Sequence, residues 1–248
     1  FDFDSQGIKM LVDGDWVKAD GTTLGADNGI GVASIMSVLE SDSIPHPALE
    51  ALFTIDEETG MTGAFGLKPN FLKGHILLNL DTEEDDEIDI GCAGGMDVTA
   101  RREYSTELLQ GSGFNITIKG LQGGHSGIDI HLGRGNANVI MARLLMAGLP
   151  YNIQLLSMDG GSLRNAIPRE AKAQFVVVDS SKFLVEVEKL KISILNEFKS
   201  IEKSLEIVIS ETTVSAKGLS AEDSMHLIRA MKAAHNGVYR MSPDVKDL

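Results

Sequence analysis

The chain has one cysteine, Cys92, which excludes an intrachain disulfide framework and a thiolate zinc cluster. It is poor in basic residues: 22 Lys and Arg stand against 36 Asp and Glu, a net charge of −14. That balance argues against a nucleic-acid or anionic-membrane partner, either of which needs a basic face. No run of about 18 apolar residues occurs and no charged segment leads into an apolar stretch, so neither a membrane span nor a signal peptide is expected. A reducing cytoplasm fits such a chain best. Any metal must be held by oxygen and imidazole.

What is present suffices to fold. With 248 residues and 43% apolar content, the chain can form one large domain or two ordinary ones around a sizeable core. It opens FDFDSQGIKM without Met and closes on SPDVKDL, and it reads as an internal piece of a longer protein.

Asp13-Gly14 between apolar flanks predicts a hairpin over residues 9–20. After the loop GTTLGADNGIG, Ile30, Ala33, Ile35, Met36, Val38 and Leu39 recur at helical spacing and predict a mostly buried helix to about Ser41, ended by Pro45 and Pro47. Residues 48–55 (ALEALFTI) read as a buried strand delivering Asp56, Glu57 and Glu58 at its end. A short helix is expected around 63–67, and HILLNLD, ending on Asp81, reads as a second strand. Strands ending in acids around a helix predict an α/β layer with carboxylates at one sheet edge, where ligands sit in open α/β sheets.

The pattern changes near Gly94-Gly95. GFNITIK alternates as a strand, NANVIMARLLMAGL as a helix, YNIQLLSMDGG and AKAQFVVVDS as strands, residues 181–203 as a long helix and SLEIVISETTV as a strand. That β-α-β-β-α-β order is the ferredoxin-like arrangement. The fold expected is thus a partial α/β catalytic domain over residues 1–94 and an α+β ferredoxin-like domain over 95–248.

Asp27, Glu58 and Asp81 fall in three loops at one end of the expected sheet. Carboxylate oxygens there suit Mg²⁺, Ca²⁺ or Mn²⁺, or Zn²⁺ once imidazoles join them, and composition does not choose among these. The competing reading is solvated surface. Similarly, His125 between glycines and a serine reads equally as a loop residue or a functional one. His46, His75, His131, His226 and His235 share no ligand spacing and read as surface or core. Cys92 reads as a small buried side chain, and the run TEEDDEID (82–89) as a solvated face.

GTTLGADNGIGVA, TIDEETGMTGAFGL, NLDTEEDDEIDIGCAGG and GGHSG followed by RGNAN, in this order, resemble the aminoacyl-histidine dipeptidases. These lie in the M20 family of two-zinc aminopeptidases and amidohydrolases, with tripeptidase T, aminoacylase and carboxypeptidase G. The resemblance runs from about residue 13 to the end. It implies hydrolysis of Xaa-His dipeptides by a two-zinc-activated water in a cytoplasmic homodimer joined through the lid; Mn or Co can replace Zn. It makes Asp27 the bridging metal carboxylate followed by a cis peptide, Glu57 the general base, and Glu58 and Asp81 the terminal metal ligands. His125 becomes an oxyanion donor reaching the partner's active site, and Asn165 with Arg164 the holders of the substrate carboxylate. Asp56 is left as strand-end surface.

The family also needs a His-x-Asp motif before the bridging Asp and a final His far downstream, and neither is in this chain. The chain alone is therefore expected to bind zinc weakly and hydrolyse little. Alternatives are a related tripeptidase or N-acyl-amino-acid deacylase, or a non-catalytic dimerisation module.

Overall fold

A computed structural model describes residues 1–82, 86, 88, 95–241 and 243. The chain divides into two units, Phe1–Gly94 and Gly95–Leu248. Cys92 and residues 83–85, 87 and 89 of the acidic run lie outside the described residues, and the readings made of them stand as expectations.

In the first unit the expected hairpin forms with its turn at Gly14-Asp15, one residue past the predicted dipeptide, and β1 (Met10–Asp13) pairs antiparallel with β2 (Trp16–Ala19), Met10 opposite Ala19. The helix α1 (Gly29–Glu40) follows, N-capped by Asn28. Two short helical turns come later, α2 (Glu57–Gly60) and α3 (Thr62–Phe65).

The remainder of this unit departs from the pattern in its sequence. Residues 49–56 and 75–82 form no strand, and the expected sheet layer is not built among the described residues. A strand exists only where its N–H and C=O groups meet a neighbouring ladder, and no described segment supplies one. Side chains that read as core therefore stay open: Ile55 is 74% exposed, and Ile76, Leu77 and Leu78 are 85%, 77% and 79% exposed. The same holds for α1, where Ile30 and Met36 are exposed and Gly31 is buried. An apolar run exposed on both faces is the signature of a strand meant for cover on both sides.

The second unit holds the core. After the short strand β3 (Glu107–Leu108), β4 (Ser112–Lys119), α4 (Ala137–Met146), β5 (Gln154–Gly160), β6 (Ala171–Val177), α5 (Ser180–Phe198) and β7 (Glu206–Thr212) follow in chain order. Their strands form one antiparallel sheet, ordered β5-β6-β4-β7. Alternation decides what each face of the sheet meets. Phe114, Ile116 and Ile118 of β4 and Ala173, Phe175 and Val177 of β6 turn inward beneath α4 and α5, while Asn115, Thr117, Lys172 and Gln174 face away. Phe114, Phe175 and Phe183 of α5 meet in a ring cluster with centroids 5.3 to 6.1 Å apart.

Two elements extend beyond the sequence reading. β8 (Lys217–Gly218) pairs with β3, and α6 (Ala221–Ala233) packs on α4 and β5. β5 is an edge strand with a bulge between Leu155 and Ser157, and the backbone groups that Leu155 turns away from β6 are both met: its N–H donates to the buried Ser224 hydroxyl at 2.9 Å and its carbonyl accepts from Leu219 N–H at 2.8 Å. No helix among the described residues is long and apolar enough to cross a membrane.

Candidate functional site

Asp27 ends an exposed loop, and the Asp27-Asn28 peptide is cis, as the resemblance implies. The next side chain does two jobs. Asn28 Oδ1 accepts from Gly31 N–H at 2.9 Å, capping α1, and Nδ2 donates to the carbonyl of Leu80 at 2.5 Å. The Asp27 loop is thereby fastened to the residue preceding Asp81, across 52 positions of sequence. Asn79 Oδ1 accepts from Asp81 N–H at 3.1 Å, which folds the chain locally at that carboxylate. Gly31 is required beside the cap, because a Cβ there would lie 2.6 Å from Asn28 Nδ2.

The acid triplet is not the end of a strand. Asp56 takes a left-handed backbone, and its Oδ2 accepts from the Thr62 hydroxyl at 2.8 Å. Asp56 is exposed, as its surface reading expects, but it shapes a turn and does not end a strand. Glu57 and Glu58 open the helical turn α2. Successive residues of a helix diverge by about 100° around its axis, so the two neighbouring carboxylates point different ways without a strand end.

Asp27, Glu58 and Asp81 are not gathered: among the described residues no three His, Cys, Asp or Glu side chains form a metal-holding group. Two of the three loops are joined through Asn28. The donor set itself, carboxylates only on this chain, suits a divalent cation and leaves room for imidazoles in a zinc site.

In the second unit the structure brings two predicted residues together. His125 lies in the loop between β4 and α4 and bridges antiparallel to Ala166. Asn165 carbonyl accepts from Ser126 N–H at 2.8 Å, and Gly124 carbonyl accepts from Ile167 N–H at 2.8 Å. The His125 and Asn165 loops are therefore one paired structure. Arg164 donates from Nη2 to the Thr99 hydroxyl at 2.8 Å, and its Nη1 is 3.7 Å from Asp97. It borders a cavity of about 430 Å³ with Ser126, Asn136, Asn138, Gly161 and Asn236.

Beneath this loop lies a buried carboxylate. Glu202 is 3% exposed; its oxygens accept from Gln122 N–H at 2.9 Å and Gly135 N–H at 2.7 Å, clamping both ends of the loop that holds His125. Buried charge is tolerated where hydrogen bonds satisfy it. Sequence reasoning passes over both Glu202 and Asn28. For Asn28 a signal is present, since Asn directly before a helical apolar run is a capping residue. An Asn28→Ala change should destabilise the first unit by about 1 kcal/mol, the usual cost of a lost cap. In the complete protein it should also weaken divalent-metal affinity, read by calorimetric titration, because the Asp27 loop and Asp81 lose their tie. Unchanged affinity would leave Asn28 with its capping role alone.

Comparison with known proteins agrees with the motif order. Residues 116–204 match the peptidase dimerisation domain of the M20 peptidases. The chain is 44% identical to the cytosol non-specific dipeptidase of Escherichia coli K12, over 99% of this chain and 52% of that protein. It superposes on the crystal structure of aminoacylhistidine dipeptidase from Vibrio alginolyticus with a TM-score of 0.67 and 43% identity, covering 99% of this chain and 51% of that one. A shorter stretch, 22% of the chain, is 45% identical to peptidase T of Haemophilus influenzae, covering 14% of it. The chain spans about half the length of the two dipeptidases. Identity at this level runs along 99% of the chain, with the peptidase dimerisation domain matched inside it, so the chain is similar to these dipeptidases over nearly its whole length.

Proposed function

We propose that the protein this chain belongs to is a cytoplasmic, two-zinc dipeptidase cleaving Xaa-His dipeptides, and that it works as a homodimer joined through the second unit. The observation that carries this reading is the 44% identity to a dipeptidase along 99% of the chain, which takes in both the acid loops and the His125 loop. Asp27, Glu58 and Asp81 would hold the metal, completed by ligands beyond this chain. When bound, the metal supplies Lewis acidity and an acidified water. Glu57 takes a proton from the attacking water on a carboxylate oxygen and returns it to the leaving amine. His125 donates a hydrogen bond to the oxygen on which negative charge develops. Asn165, with Arg164, orients the carboxylate end of the substrate.

The antiparallel sheet ordered β5-β6-β4-β7, with α4 and α5 on one face, supports a ferredoxin-like reading of the second unit as the lid. The test is a substrate panel on the complete protein. Xaa-His dipeptides should be cleaved faster than tripeptides and N-acyl amino acids. Faster cleavage of either of the others would move the protein to the tripeptidase or deacylase branch, and equal cleavage of all dipeptides would make it non-specific.

A further inference from the structure

We infer that His125 is held as the tautomer with its proton on Nε2, and that Asp129 and Arg134 are positioning residues that keep it so. The ring nitrogen Nδ1 lies 3.1 Å from Gly127 N and 3.2 Å from Ile128 N, and both amides donate to it. A nitrogen accepting from two N–H groups carries no proton of its own in the neutral ring, so the single imidazole N–H is on Nε2. That leaves the far side of the ring as the donor side.

The two amides reach Nδ1 because residues 125–129 are closed into a turn at both ends. Asp129 N–H donates to the carbonyl of His125 at 2.9 Å, and Asp129 Oδ2 accepts from His125 N–H at 2.8 Å. The same carboxylate oxygen lies 3.2 Å from Arg134 Nη1, which also donates to the carbonyl of Gly123 at 2.8 Å. One ion pair, about three-quarters buried, therefore grips the backbone on either side of Gly124. Gly124 has φ +147°, and a Cβ there would collide with this pair, so the loop accepts no side chain at that position.

The catalytic consequence rests on the proposed role of His125 as oxyanion donor; the tautomer does not. The test begins with nitrogen-proton NMR correlation of the His125 ring in the 248-residue chain. An unprotonated, hydrogen-bonded Nδ1 with a protonated Nε2 is expected. A protonated Nδ1 overturns the inference. In Asp129→Ala the turn opens, and the two nitrogens should move toward averaged tautomers while core resonances of Phe114 and Phe175 stay in place. Arg134→Gln, which keeps a donor for Gly123, should shift them less. An unmoved His125 spectrum in Asp129→Ala removes the positioning role.

Kinetics on the complete protein then separate this inference from the functional reading. Asp129→Ala should lower kcat about tenfold or more with KM nearly unchanged, and it should add nothing on top of His125→Ala, since it acts through that ring. Additive losses overturn the positioning role. Full turnover in His125→Ala would sink the oxyanion reading while the NMR result for the tautomer stood.

Discussion

In the complete protein, Glu57→Ala should lose about 10²- to 10⁴-fold in kcat while keeping its metal, the usual worth of a positioned general base. The pair Glu57 and Glu58 makes the experiment internally controlled. Both open the same helical turn α2, and Asp56 and Thr62 fix that turn from outside it. An alanine at either position disturbs the local backbone about equally. Their side chains diverge by about 100°, so they cannot serve the same atom in the same way. Glu58→Ala should lose metal and activity together. A Glu57→Ala protein that sheds its metal would exchange the two roles, and one that keeps full turnover would remove Glu57 from the chemistry and favour a non-catalytic module.

The second large effect is expected at His125. His125→Ala should cost about 10²- to 10³-fold in kcat with little change in KM, because an oxyanion donor acts where charge appears in the transition state. Its loop is held by the ladder to Ala166 and by Glu202, neither of which depends on the imidazole. The fold should therefore survive the change. The proposed dimer adds a sharper form of this prediction. If His125 serves the partner's site, two inactive variants, Glu57→Ala and His125→Ala, should restore one another when mixed and allowed to exchange subunits. With equal mixing, half the dimers are mixed and each carries one intact site, so roughly a quarter of the native rate should return. No recovery, with exchange demonstrated, would place His125 in its own subunit's site or outside the reaction.

The two units differ in how far their sequences disclose them, and the difference is physical. GFNITIK reads as a strand because its partners are in the chain: β6 on one side and β7 on the other turn Phe114, Ile116 and Ile118 inward, as alternation requires. HILLNLD carries an equally strong apolar signal, yet Ile76, Leu77 and Leu78 stay exposed, since periodicity states a preference that only a neighbouring strand can satisfy. The sequence reading ends at β7 and omits α6, although Ser220 followed by Asp223 is a capping pair; the Ser220 hydroxyl accepts from Asp223 N–H at 3.1 Å.

At the candidate site, the motif order named the acids and His125, but not what holds them. Asn28, Asp129, Arg134 and Glu202 act through hydrogen bonds to backbone groups 3 to 80 residues away. Such partners leave no periodicity in a sequence. Asp56 is instructive for the same reason, since a carboxylate that looked like surface bonds Thr62 and so shapes the turn of its neighbours.

The most direct test of the account is a metal titration of the complete protein with an Xaa-His dipeptide as substrate. Chelation should abolish hydrolysis, and added Zn²⁺ should restore it as two equivalents per subunit bind, with Asp27→Ala unable to recover. Hydrolysis that survives complete removal of divalent metal, or full recovery in Asp27→Ala, would contradict it.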